Sequence, residues 1–194
     1  MGFVADQGNV NAIEQLADKV AARYGKIDIL FINAGVLEMA LIEEVTEQAF
    51  DNVIGVNFKG AFFTLSKFIP LLNDGASVVF LSSNTASMSG PRSSVYSASK
   101  AALNSIMKSA AIELAPRKIR VNSVSPGPIQ TEIMKKVGFS DDQLQEVKNW
   151  IIEQVPLKKF GDAGDVAKMV AYFSGEAASF ITGAELIMDG GMSL

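Results

Sequence analysis

SNTASMSGPRSSVYSASK, from Ser83 to Lys100, is the stretch from which the rest of the chain can be read. Just before it, Val78-Val79-Phe80-Leu81 is a short apolar run of the kind a buried strand shows, ending in Ser82-Ser83. Its last five residues, Tyr96-Ser97-Ala98-Ser99-Lys100, open a helical pattern over 94–115, stopped by Pro116. The stretch is therefore strand, polar loop, helix. Spacing i,i+4 puts Tyr96 and Lys100 on one helical face, within reach of a common ligand. In an open α/β sheet, ligands bind at the carboxyl end of the strands, where Ser83 stands.

A free Tyr has a pKa near ~10, so only about one molecule in a thousand is phenolate at pH 7. Lowering it by two to three units takes roughly 3–4 kcal/mol of preference for the anion. A Lys ammonium about 4–5 Å away supplies roughly that much at an effective dielectric near ~20. Tyr96 beside Lys100 is therefore expected to act as a general acid/base, with Ser83 bonding a substrate oxygen. The chain has no His and no Cys, which leaves Tyr, Lys, Asp or Glu for proton transfer. A Tyr and a Lys four apart also occur on helices as an exposed pair, so the surrounding chain must decide.

Working outward, Gly2-Phe3-Val4-Ala5 reads as a strand followed by Asp6, and 10–24 as a helix capped by Gly25. Ile27 to Ile32 reads as a strand closed by Asn33-Ala34-Gly35, where a Gly lets the backbone approach a flat ligand or simply turns the chain. Strand, helix, strand implies a right-handed crossover and a parallel sheet. Residues 47–73 form one long helical pattern, with Asn57 among apolar neighbours and Gly55 and Gly60 around it. Asn57 is either a partly exposed polar residue or a buried amide holding a water or a Lys. Strands follow at 77–82, 119–124 and Ala184–Met188, with a helix at 163–174 and Asp189-Gly190-Gly191 at the end. Residues 128–160 are a long excursion with Met134, Val137, Phe139 and Trp150, and a helix starting near Asp141. It is expected to be a lid within a single domain, 1–194.

The chain has 194 residues, 48% hydrophobic and 20% charged, with net charge −4 and no basic run, so nucleic acid and anionic membrane are unexpected partners. The absence of Cys excludes a disulfide framework and a thiolate metal site, and no metal is expected. The expected compartment is the cytoplasm.

Taken in order, Asp6, Asn33-Ala34-Gly35, Asn57, Ser83, Tyr96-x-x-x-Lys100, Pro126-Gly127 with Ile129 and Thr131, and Asp189-Gly190-Gly191 resemble the short-chain dehydrogenase/reductase family from residue 2 to the end. Ser83 stands thirteen residues before Tyr96, the family's usual interval. The resemblance implies a Rossmann-like, doubly wound α/β sheet with helices on both faces. It implies NAD- or NADP-dependent interconversion of a small-molecule carbonyl and an alcohol. Tyr96 would be the acid/base, Lys100 would lower its pKa and hold the ribose, Ser83 would orient the substrate and Asn57 would support a relay water. Asp6 would contact adenine, Asn33, Ala34 and Gly35 would line the ribose, and Pro126, Gly127, Ile129 and Thr131 would cradle the nicotinamide. A homodimer or homotetramer through helices 47–73 and 94–115 is expected.

The family's opening strand, T-G-x-x-x-G-x-G turn, helix and second strand have no counterpart here. The fold is accordingly expected to be incomplete at its N-terminus, with strand 27–32 an exposed apolar edge. The chain by itself is expected to bind cofactor weakly and turn over nothing detectable. The other reading is a non-catalytic remnant that serves as an oligomerising subunit.

Overall fold

The computed structural model describes residues 2–88, 90–131 and 141–194. They form α1 (Val10–Tyr24), β1 (Ile27–Ile32), α2 (Glu47–Ile54), a π-helical turn (Gly55–Gly60), α3 (Ala61–Phe68), β2 (Leu72–Leu81) and α4 (Ser94–Leu114). Then come β3 (Arg120–Pro126), β4 (Ile129–Gln130), α5 (Asp141–Gln154), β5 (Gly161–Asp162), α6 (Ala163–Ser174) and β6 (Glu185–Met188). The helices start where local chemistry lets them. The Asn9 side chain accepts from the N–H groups of Asn11 and Ala12 at the start of α1, and Gly25 at φ 70° ends it. Asp162 caps α6 by accepting from the Gly164 N–H at 2.7 Å.

The main sheet runs β1-β2-β3-β6, all parallel, with Ile32 beside Phe80, Phe80 beside Ser123 and Val124 beside Leu186. Alternate residues point to opposite faces. Leu30, Ile32, Val78, Phe80 and Val121 pack under α1, α3 and α4, and Val79 and Val124 pack under α6. This is the expected α/β architecture, a parallel sheet with helices on both faces. Burial of each large side chain of this core, such as Phe80 or Leu103, contributes about 1.5–3 kcal/mol.

Three expectations need correction or limits. Residues 2–5 are not a strand, and Val4 is 98% exposed; an isolated segment has no ladder to join. The 47–73 pattern is helical without a break from Glu47 to Leu71, but its middle, Gly55–Gly60, is a π-helical turn and it ends in a tighter turn, Ile69–Leu71, around Pro70. The following strand starts at Leu72, ahead of the expected 77. In the excursion, Met134, Val137 and Phe139 lie outside the described residues. Its base is a short parallel ladder, Ile129 with Gly161 and Gln130 with Asp162.

β1 pairs only with β2 among the described residues, and Ile29 and Phe31 are 52% and 39% exposed on the face that α1 and α3 do not cover. The exposed apolar edge is as expected. No helix among the described residues is long and apolar enough to cross a membrane.

Candidate active site

β2 delivers Ser82 and Ser83 to its carboxyl end, and α4 starts directly opposite. The Ser82 N–H donates to the Val124 carbonyl at 2.8 Å, and its hydroxyl donates to the Lys100 carbonyl at 3.2 Å, which ties the strand end to the helix. Ser83 is extended, and its Oγ accepts from the Thr85 N–H at 3.2 Å and the Thr85 hydroxyl at 3.0 Å. The Tyr96 phenol faces the Ser83 side chain closely enough for that hydroxyl to favour its anion. Lys100, only 3% exposed, donates from Nζ to the Leu81 carbonyl at 2.8 Å and lies 5.7 Å from the centroid of the Tyr96 ring. Ser83, Tyr96 and Lys100 thus converge.

The electrostatics differ from the expectation in one respect. Burial pushes the Tyr96 phenol above its ordinary value, and the nearby Ser83 side chain pulls it down by less. Burial pulls the Lys100 ammonium down to about 8. Desolvation therefore outweighs any lowering of Tyr96 by Lys100, whose charge is directed at the Leu81 carbonyl. At neutral pH the phenol is protonated and the amine is mostly charged.

Asn57 is a buried amide within the π-helical turn. Its Oδ1 accepts from the Val36 N–H at 2.8 Å, and its Nδ2 donates to the Val36 carbonyl at 2.9 Å and the Ser99 hydroxyl at 3.1 Å. Ser99 donates in turn to the Tyr96 carbonyl at 2.6 Å. Asn57 therefore locks the loop after β1 to the second turn of α4. A Cβ on Gly35 would stand 3.3 Å from Asn57 Oδ1 and 3.5 Å from Lys100 Nζ, so this group also belongs to the cluster.

The remaining candidates are placed differently. Asp6 is exposed, and its Oδ1 accepts from the Gly8 N–H at 2.8 Å, a turn-forming role. Asn33 and Ala34 are exposed at the end of β1. Gln7 holds this loop, donating to the carbonyls of Ala34 at 3.1 Å and Val56 at 3.0 Å. Pro126 ends β3 beside Met188, and the Gly127 N–H donates to the Met188 carbonyl at 3.0 Å. Ile129 packs in the cluster under α6, the core role open to it, and Thr131 is exposed.

Sequence reasoning did not single out Gln7, Ser99 or Asn84 for a role at the site. Asn84 is buried and donates to Met88 Sδ at 3.0 Å and, more weakly, to Asp189 Oδ2 at 3.4 Å. Burial pushes the Asp189 carboxyl up, but bonds from Ser193, Gly191 and Asn84 together hold it below its ordinary value. The terminal Asp189-Gly190-Gly191 turn is thereby fastened behind Ser83. A buried polar residue next to Ser83 was the available signal for Asn84; nothing local marks Gln7.

These residues fit part of a nicotinamide dinucleotide. Lys100 has three N–H donors and one acceptor, Leu81, which leaves donors for a ribose diol. The side-chain-free Gly35 leaves room beside that amine, which a Cβ would narrow. No Gly-rich strand-to-helix turn of the kind that binds a pyrophosphate is found among the described residues.

Residues 2–193 match a family model described as enoyl-(acyl carrier protein) reductase. The versicolorin reductase stcU of Emericella nidulans is 36% identical over 197 residues, 96% of this chain and 74% of that protein. The 3-oxoacyl-[acyl-carrier-protein] reductase FabG of Staphylococcus epidermidis is 35% identical over 97% of this chain and 77% of its own length. A short-chain dehydrogenase/reductase from Serratia marcescens superposes with a TM-score of 0.90 at 31% identity, covering 98% of this chain and 75% of its own. A Burkholderia cenocepacia short chain dehydrogenase, solved in complex with NADP, gives 0.88 at 29% identity, covering 98% and 75%. With the fold, the ordered motifs and the converging Ser83, Tyr96 and Lys100 all in agreement, the chain belongs to the short-chain dehydrogenase/reductase family.

Proposed function

We propose that this chain is the catalytic part of an NAD(P)-dependent reductase that converts a ketone into a secondary alcohol. The observation that carries the reading is the buried Lys100 amine 5.7 Å from the centroid of the Tyr96 ring, with the Ser83 side chain close to the phenol. A bound nicotinamide supplies the hydride. Ser83 donates a hydrogen bond to the substrate carbonyl and fixes its direction. Tyr96 gives its phenolic proton to the same oxygen as negative charge develops there. Lys100 holds the ribose hydroxyls, and its charge stabilises the phenolate left after proton transfer. Asn57 keeps Val36 and Ser99, and so the loop and α4, in register around them. Asn33, Ala34 and Gly35 line the ribose, and Pro126, Gly127, Ile129 and Thr131 border the nicotinamide. We read 128–160 as the lid that closes over the substrate.

The test is NADPH oxidation followed by absorbance, with a 3-oxoacyl thioester and aromatic ketones as substrates. It is made on the 194-residue chain and on the same chain preceded by the strand, Gly-rich turn, helix and strand of the Serratia marcescens enzyme. In the chimaera, Tyr96→Phe is expected to lower turnover by three or more factors of ten with cofactor affinity nearly unchanged. A variant within tenfold of the parent would sink the assignment. A chimaera that binds NADPH and remains silent would favour the non-catalytic, oligomerising reading.

A further inference from the structure

Three polar atoms between α4 and the sheet have no hydrogen-bond partner among the described residues: Nδ2 and Oδ1 of Asn104, and Oγ of Ser123. Both residues are buried. Asn104 lies one turn beyond Lys100 on α4, beside Leu103 and Met107, which share a cluster with Val121 of β3. Ser123, two residues after Val121, points to the same face of the sheet. Asn104 belongs to the edge of α4 directed at β3 and β6. Ala111, two turns further along that edge, lies 3.6 Å from where a Cβ on Gly183, just ahead of β6, would stand. The neighbouring Ser125 and Glu185 satisfy each other, Ser125 Oγ donating to Glu185 Oε1 at 2.6 Å.

Buried amides and hydroxyls are paired, with protein or with ordered water, in the great majority of cases. An internal water typically makes about three hydrogen bonds to groups that lack protein partners. We infer that Asn104 and Ser123 together hold one internal water between α4 and β3. Both side chains are neutral, and each can donate and accept, which matches water and gives an ion no countercharge. The water pins α4 to β3 one turn beyond Lys100 and is independent of the reaction assigned to the site.

Oxygen-17 relaxation dispersion counts long-lived internal waters in the folded chain. The unaltered chain is expected to hold one more than the Asn104→Leu/Ser123→Ala double variant. Thermal unfolding gives a second readout. Ser123→Ala should lower the midpoint in the unaltered chain, where it deprives the water of a partner. It should raise the midpoint in the Asn104→Leu background, where it removes a hydroxyl left unpaired. Equal water counts, or the same sign in both backgrounds, would overturn the inference. So would a crystal structure in which the Asn104 amide bonds protein groups alone, whereas a water bonded to both side chains would support it.

Discussion

An amine buried as deeply as Lys100, with one carbonyl as its partner, weakens the fold that contains it. The unfolded chain keeps this proton up to its ordinary value of 10.5 and the folded chain only to about 8. Below pH 8 both forms hold it, and the full cost of burying the charge is present. Between 8 and 10.5 the unfolded chain binds more protons, so this group makes stability rise with pH, by up to about 3 kcal/mol. Tyr96 works in the opposite sense above 10, because burial makes the folded chain the one that keeps the phenol proton. Lys100→Met should therefore stabilise the chain at pH 7 by about 1–2 kcal/mol in urea unfolding, after allowing for the lost bond to Leu81. It should also flatten the rise above pH 8. In the chimaera, the same change should lower turnover and NADPH affinity, and the unaltered chimaera's reductive rate should fall above pH 8 as the amine loses its charge. A variant less stable than its parent at pH 7 would contradict this account of Lys100.

The π-helical turn is the element on which the site's second layer depends. An extra residue in one turn swings Asn57 inward to reach Val36 and Ser99, and Gly60 at its end lies against the chain entering α1. A Cβ on Gly60 would overlap the carbonyl oxygen of Gln7, the residue that holds Ala34 and Val56. Gly60→Ala should cost about 1–3 kcal/mol in chemical denaturation, and unchanged stability would show that residues 6–8 yield freely. Ser83, Tyr96 and Lys100 were legible in the sequence because one local pattern, apolar strand then polar loop then helix, brings them together. Asn57 was legible as an amide out of place in an apolar stripe. The π-helical turn was not, since a single added residue hardly disturbs the spacing of Val53, Ala61 and Leu65. Residues 2–5 misled because strand propensity says nothing about whether a neighbour exists to pair with. Gln7 and Asp189 act through contacts 49 and 105 residues away in sequence, beyond any local signal.

At the scale of the whole molecule, two surfaces call for partners. Along α2, α3 and α4, Phe50 and Phe62 are about half-exposed and Ile112 is 77% exposed, so the helices carry more apolar surface than the core uses. The chain is expected to form a homodimer or homotetramer across these helices. Sedimentation at micromolar concentration should show it, Ile112→Glu should weaken it, and a monomeric parent would contradict it. The second surface is the open edge of β1, and it adjoins the proposed cofactor site. Asn33, Ala34 and Gly35 continue from a strand that, among the described residues, is paired on one side only, with Ile29 and Phe31 exposed, so the loop proposed to line the ribose is supported on one flank. The amino end of α1 offers no substitute for a pyrophosphate site, because Asp6 and Asn9 already take the N–H groups of Gly8, Asn11 and Ala12. A helix dipole contributes about 0.3–2 kcal/mol to anion binding, and charge-assisted amide hydrogen bonds add to it. At about 1.4 kcal/mol per factor of ten, the 194-residue chain should bind NADPH at least about a hundredfold more weakly than the chimaera carrying the Gly-rich turn. Titration of both proteins with NADPH, followed by cofactor fluorescence, compares them directly. Low-micromolar binding by the 194-residue chain would show that Lys100 and the loop after β1 hold the cofactor without a pyrophosphate turn.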